Sequence, residues 1–381
     1  MRILLASEPG VDGVLRHVEG LTGFLLRAGY VVDLAYSSIR GSDRLTRLAA
    51  RVVEAGGLST DLRVGSRPGV GDLGALVRLR HLMKRGSPDV LHGHSSKAGA
   101  LLRTLRLLGN RRPTFYTPHA YYGMGRHSAA ATLVFNSIER ALEPLSHTIN
   151  LSEGEARFAR EVLRTPTSRQ TLIHNGVNPE LFRPADPGLR ADLRRRAGIP
   201  DGALVLGTVG RFSPQKDPVT LYGAFAMAAA RIPNLVLYHL GAGELEAEAL
   251  AIPRAAGVAN RVFHVRYLSE PVAFYQCLDG FVLASIYEGF AYCILEAMAC
   301  NLPMILSTAP GNEAFFQLGL THCWQVPPRR HGDFAAAIEH WASQGLRGNP
   351  CNHRAVACER FSEEVCFSRV LALYCEAVRG P

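Results

Sequence analysis

Short apolar or β-branched runs alternate with helix-like stretches along most of the chain. In the first part the runs fall at residues 2–7, 30–36, 61–65, 89–94, 114–118 and 147–151. Runs of this length, separated by segments with helical spacing, predict a parallel sheet covered by helices on both faces. The rhythm breaks between residues 165 and 201, where Pro, Asn, Asp and Arg accumulate, and resumes with runs at 203–210, 235–240, 261–267, 280–284 and 303–307. The fold class is therefore α/β, with two doubly wound units. Ligands of such sheets sit beyond the carboxyl ends of the strands, so facing units would place an active site in a cleft between them. The Asn175-Gly176 turn marks the first crossing from one unit to the other. On this pattern residues 1–170 form an N-terminal domain, 171–360 a C-terminal domain, and 361–381 a terminal helix that packs back on the first.

Two loops that follow strands of the second part carry chemistry. The first reads Gly210-Arg211-Phe212-Ser213-Pro214-Gln215-Lys216-Asp217. A planar guanidinium and a compact ammonium in one loop suit a diphosphate. Lys216 stands out because the chain holds three lysines against 39 arginines. The second loop reads Tyr287-Glu288-Gly289-Phe290-Ala291 and leads into a helix that carries Glu296. Small residues at a helix N-terminus let backbone N–H groups approach an anion, and a carboxylate two turns on can accept bonds from a ribose diol. Gly241-Ala242-Gly243 follows another strand and could bring a third backbone turn toward the same phosphates.

The G-R-x-x-x-x-K loop followed by E-G-F-x-x-x-x-x-E resembles the retaining glycosyltransferases of family 4, which have the GT-B fold of two Rossmann-like domains. The resemblance implies that Arg211 and Lys216 hold the donor's diphosphate, Glu296 the nucleotide ribose, and Glu288 the donor sugar near its reacting carbon. Gly243, Gly289, Phe290 and Ala291 join the implied donor site. The first half is similar to the family more loosely. Asp12-Gly13 stands where relatives carry a Gly-Gly doublet, so only Gly13 transfers to the donor site. His119, at the end of the run 114–118, matches a histidine implicated in catalysis, which makes His119 and Glu288 the implied catalytic pair. His92-Gly93-His94 invites a metal reading, but no third ligand of clear spacing accompanies it, and a role in the cleft wall is favoured.

Composition narrows the setting. Residues 1–150 hold 20 Lys and Arg against 11 Asp and Glu, while the remainder balances at 22 against 22, so the first half carries the whole net charge of +9. Such a half suits an anionic partner such as a membrane surface or a lipid-linked phosphate. The plainer alternative is a solvated Arg-rich surface. All eight cysteines lie between Cys277 and Cys375 without a C-x-x-C pair, which favours reduced thiols over a disulfide framework or zinc site. No apolar run is long enough to span a bilayer, and Glu8 interrupts the N-terminal run too early for a secretion signal. A cytoplasmic protein in peripheral contact with the inner face of the cytoplasmic membrane is expected.

The resemblance implies transfer of a sugar from a nucleoside diphosphate, UDP in preference to GDP, to an acceptor hydroxyl. The acceptor expected is a lipid-linked oligosaccharide of surface polysaccharide synthesis. No cofactor and no metal are expected, because no D-x-D triplet occurs and the two cations can meet the leaving charge. A nucleotide-sugar epimerase and a non-catalytic sugar-nucleotide-binding protein are the competing readings. A dinucleotide-dependent oxidoreductase is disfavoured by the absence of G-x-G-x-x-G after the first strand. Nucleic-acid binding is not expected, since basic residues and aromatics do not interleave.

Overall fold

The computed structural model describes the chain except Val11, Arg67, Arg126, His127, Ser269, residues 346–350 and Pro381, and except the side chain of Asp12. It divides into two compact units, residues 1–176 with 363–381 and residues 177–362.

The first unit holds seven parallel strands, β1 (Arg2–Ser7), β2 (Val31–Tyr36), β3 (Ser59–Asp61), β4 (Val90–His94), β5 (Thr114–Thr117), β6 (His147–Asn150) and β7 (Gln170–Leu172), in the order β3-β2-β1-β4-β5-β6-β7. Successive side chains of a strand point to opposite faces. In β1, Ile3 and Leu5 therefore pack with Val18, Leu21, Phe115 and Phe367, while Leu4 and Ala6 pack with Leu79, Leu82, Leu91 and Leu102. Both faces are covered, as an all-parallel sheet requires. The last helix, Glu363–Arg379, contributes Phe367, Val370 and Tyr374 to this core and packs beside the first helix, Asp12–Arg27. Residues 171–176 also stay with this unit, because β7 pairs with β6 and extends the sheet.

The second unit repeats the plan with β8 (Leu204–Val209), β9 (Leu235–Leu240), β10 (Val262–Val265), β11 (Gly280–Leu283), β12 (Met304–Ser307) and β13 (Cys323–Val326), ordered β10-β9-β8-β11-β12-β13. Leu206, Leu237, Val282 and Ile305 from four strands meet Phe225 and Phe334 in its core. In each sheet the order reverses once, between β1 and β4 and between β8 and β11. Such switch points open a crevice at the carboxyl edge.

Three short elements differ from the sequence pattern. The sequence pattern predicts a strand over 61–65, yet pairing with β2 covers Ser59–Asp61 and stops there. Arg63 takes a left-handed φ of 53°, which ends the strand. The edge strands β7 and β13, three and four residues long, carry no alternation that would announce them.

Candidate functional site

The second unit builds its site from the loops after β8 and β11, on either side of the switch point. Lys216 Nζ donates to Glu288 Oε1 at 2.6 Å, joining the two loops by a side-chain ion pair. Burial opposes the charge on Lys216, but the Glu288 carboxylate outweighs it and raises the pKa. The backbones are tied as well: Ile286 N–H donates to the Gln215 carbonyl, and the Gln215 amide donates to the Tyr287 carbonyl at 3.1 Å. Arg211 is exposed at the front of the first loop, with Nη2 3.4 Å from Gln215 Oε1. The helix Tyr292–Ala299 carries Glu296, buried, whose Oε2 accepts the Tyr275 hydroxyl at 2.6 Å. Ser213 and Ser285, one in each loop, have buried hydroxyls without a hydrogen-bond partner among the described residues.

The glycines have steric reasons. A Cβ on Gly243 would lie 2.4 Å from the Phe212 carbonyl oxygen, so the third turn packs directly on the backbone of the first. Phe212 N–H donates to the Ala242 carbonyl and Leu245 N–H to the Phe212 carbonyl, which locks that approach. Gly311, which the sequence pattern did not mark, has φ 94° and would drive a Cβ to 2.1 Å from the Glu288 carbonyl oxygen. Gly289 is half-buried, and Ala291 is the extended residue preceding the helix. The Phe290 ring is 3% exposed and stacks on Phe315 at 4.6 Å, so it supports the loop from the core side.

The first unit presents a different group at the carboxyl edge of its sheet. His94 ends β4 and His119 lies two residues beyond β5, with His94 Nδ1 and His119 Nε2 3.2 Å apart. His17, from the helix that follows β1, has ring-centroid distances of 5.2 Å to His94 and 4.9 Å to His119. The third histidine that spacing in sequence does not reveal is thus supplied by the fold. His17 Nδ1 donates to Asn175 Oδ1 at 3.0 Å. Burial lowers the pKa of His17 to about 4 and holds His92, His94 and His119 well below the usual histidine range, with neighbouring imidazoles adding to it.

His119 and Ala120 both have positive φ, 55° and 77°. The turn is held by Glu155, whose Oε1 accepts Ala120 N–H at 2.6 Å and whose Oε2 accepts Leu151 N–H at 2.7 Å. Burial lifts the Glu155 pKa to about 7 against those two bonds. Glu155 stands at the N-terminus of Glu153–Phe158 behind the cap Ser152, a Ser-x-x-Glu signature that could have been found in the sequence. Gly13 is exposed in the first turn of its helix, and the side chain of its neighbour Asp12 lies outside the described residues. The eight cysteines carry free thiols, and no described helix is long and apolar enough to cross a membrane.

Known proteins match both units. The sequence model described as Glycosyltransferase Family 4 matches residues 11–181, and that described as Glycosyl transferases group 1 matches residues 190–356. The chain is 28% identical over 246 residues to the UDP-Gal:alpha-D-GlcNAc-diphosphoundecaprenol alpha-1,3-galactosyltransferase of Escherichia coli, a match that spans 63% of each chain and so under two thirds of that relative. It is 26% identical over 321 residues to the D-inositol 3-phosphate glycosyltransferase of Kribbella flavida, covering 79% of this chain and 74% of the relative. Among solved structures, Anabaena Alr3699/HepE in complex with UDP and glucose superposes with a TM-score of 0.81 at 18% identity, over 98% of this chain and 99% of that one. Sucrose-phosphate synthase from Thermosynechococcus elongatus gives 0.78 at 22% identity over 98% of each. With two parallel-sheet α/β units, a pair of matching family models and full-length structural neighbours, the chain belongs to the family 4 glycosyltransferases and has the GT-B architecture.

Proposed function

We propose that this glycosyltransferase takes its sugar from a nucleoside diphosphate, UDP in preference to GDP, and passes it to an acceptor hydroxyl with retention of anomeric configuration. The observation that carries the reading is the Lys216–Glu288 pair bridging the two loops at the β8–β11 switch point. A diphosphate entering there meets the Lys216 ammonium and the Arg211 guanidinium, with the buried hydroxyls of Ser213 and Ser285 available as further polar groups. Glu288 keeps Lys216 charged and in place, and its own carboxylate faces the donor sugar. Glu296, oriented by Tyr275, takes the ribose hydroxyls. Gly13 and His119 remain the first unit's assigned contributions to the donor site and to catalysis. Gly243, Gly289 and Ala291 act through backbone close to the phosphates, whereas Phe290 acts from beneath the loop.

Cations fixed where the leaving diphosphate gains charge stabilise the transition state without reorganising, which makes them the largest source of rate enhancement and leaves the donor step independent of a metal. The structural neighbour that contains UDP and glucose supports the choice of base. A lipid-linked saccharide acceptor in surface polysaccharide synthesis is supported by the Escherichia coli relative's diphosphoundecaprenol substrate. A hollow of the first unit lined by Arg80, Lys84, Arg111 and Arg112 beside Leu105 and Leu108 suits such an anionic, partly apolar partner, and the inner face of the cytoplasmic membrane is where it would be met.

Calorimetric titration of UDP and GDP, with and without magnesium, tests the donor site. UDP binding that needs no magnesium and weakens in Lys216→Ala is the expected result. Failure of both nucleotides to bind the folded wild type would overturn it, and conversion of a UDP-sugar without acceptor would favour the epimerase reading.

A further inference from the structure

The segment that carries His119 leaves β5 in a conformation that backbone sterics disfavour. His119 and Ala120 have φ of 55° and 77°, and neither is a glycine, so each left-handed residue costs about 1–2 kcal/mol. The loop beyond them is docked by other means. The Tyr121 ring stacks on Phe158 at 5.3 Å, and its hydroxyl donates to Asn150 Oδ1 at 3.0 Å.

The turn itself is held by one carboxylate. Glu155 is fully buried, and its two oxygens accept from two different loops that follow strands, Oε1 from Ala120 N–H at 2.6 Å and Oε2 from Leu151 N–H at 2.7 Å. A glutamate three residues after a serine cap ordinarily turns back to the cap's own N–H. Here Ser152 Oγ accepts Glu155 N–H at 3.2 Å, but the carboxylate reaches past the cap to Leu151 and across to a residue 35 positions away. Among the described residues no cation pairs with it. A buried charge met by N–H donors alone is a costly way to fill a purely structural place, and such groups gather where function demands them.

We infer that Glu155 is a positioning residue: as a carboxylate it fixes the turn that aims the His119 imidazole at the reaction, and on taking up a proton it releases that aim. The inference rests on the catalytic reading of His119 proposed above. Ala120 N–H belongs to the peptide unit directly after the His119 Cα, so the bond to Oε1 fixes the backbone from which the imidazole projects. His94 Nδ1 lies 3.2 Å from His119 Nε2, so ring and backbone are held at separate points. Protonation turns one carboxylate oxygen into a hydroxyl set against an N–H donor, and one of the two loops loses its bond. Burial lifts Glu155 to about 7, which places the change near neutrality. His119 keeps its neutral form there, because burial and neighbouring imidazoles hold it well below the usual histidine range. The titratable and charged groups around Glu155 are Tyr121, His174 and the exposed Glu153 and Arg157 of its own helix. Burial pushes Tyr121 well above the ordinary tyrosine range and lowers His174, whose Nδ1 meets the Leu151 carbonyl at 2.8 Å, so neither changes charge near pH 7.

The test follows UDP release by the full chain from UDP-glucose and UDP-galactose, with water as acceptor, from about pH 5.5 to about 8.5. Wild-type kcat should rise at least about tenfold through an apparent value near 7. Glu155→Gln keeps the size and loses the charge: kcat should fall about 10- to 100-fold, KM for the donor should stay within about twofold, and the pH dependence should vanish. The exposed Glu161→Gln should match the wild type. In a His119→Ala background, Glu155→Gln should cost nothing further. Nuclear magnetic resonance of the wild type supplies a readout that needs neither turnover nor a folded variant: the Ala120 amide proton, downfield while bonded to the carboxylate, should move upfield as pH falls through about 7. An Ala120 amide that does not titrate, a pH dependence retained in folded Glu155→Gln, or a Glu155→Gln loss undiminished in the absence of His119 would each overturn the inference. Near-wild-type kcat in His119→Ala would instead overturn the catalytic reading of His119, and this inference with it.

Discussion

The two switch points of the molecule stand at equivalent places in two similar sheets, yet they hold opposite chemistry. At β8–β11 the loops meet through an ion pair, in which the Glu288 carboxylate raises the pKa of the buried Lys216 ammonium. At β1–β4 the groups are imidazoles from which burial withholds the charge. A doubly wound sheet therefore decides where a site forms, and the loop residues decide what it can bind.

The sharpest way to break that contrast is to remove charge from the second unit. Lys216→Ala should lower sugar transfer from a UDP-sugar by about 100- to 1000-fold, the usual effect of losing one group that stabilises a developing negative charge. Steady-state kinetics checks this, and a loss below tenfold would deny Lys216 its role. The same substitution leaves Glu288 buried without its ammonium, which should cost about 3 kcal/mol of stability. In urea unfolding, Lys216→Met combined with Glu288→Gln should recover most of that loss while transfer stays low, separating the pair's structural part from its chemical one.

Acid should act chiefly on the first unit. Its histidines 17, 92, 94, 119, 147 and 174 all have lowered pKa, against His239 and His353 in the second. A lowered folded-state value means that the unfolded chain takes up protons the folded chain refuses. Their contribution is complete above about pH 6.5 and declines as pH falls toward the folded values, about 4 for His17. Glu155 has the opposite sign: raised to about 7, it favours the folded state at low pH, and that benefit fades as pH rises from 4.5 through 7. The histidines outnumber it, so hydrogen exchange between pH 7 and 5 should show protection falling first at β4 and β5. Both tryptophans, Trp324 and Trp341, lie in the second unit, and their fluorescence should change at lower pH. Simultaneous loss would remove the distinction. The smallest effect concerns Phe290, which belongs to the core of its loop: Phe290→Leu should cost about 1 kcal/mol of stability and leave UDP affinity, measured by calorimetry, within twofold.

The same contrast separates what sequence could and could not disclose. Arg211, Lys216, Glu288 and Glu296 lie in two contiguous loops whose spacing is preserved in the chain, so a linear pattern suffices to find them. The strands could be found because buried runs of β-branched and apolar residues are local signals, and β9 occupies the expected Leu235–Leu240. The edge strands β7 and β13 are too short to alternate. The histidine cluster has no linear trace: His17, His94 and His119 come from three separate segments, and Asn175, which orients His17, is 158 residues away from it. Only the parallel pairing of β1, β4 and β5 gathers them.

The return of the last helix to the first core has a consequence for biosynthesis. Residues 177–362 form one uninterrupted stretch, so the second unit can complete itself as soon as that stretch leaves the ribosome. The first unit, although translated earlier, lacks Phe367, Val370 and Tyr374 until the helix Glu363–Arg379 has been made, and with them the hydroxyl that satisfies His92. A nascent chain halted after residue 362 would carry a finished second unit tethered to an open first one, so the half made first matures last.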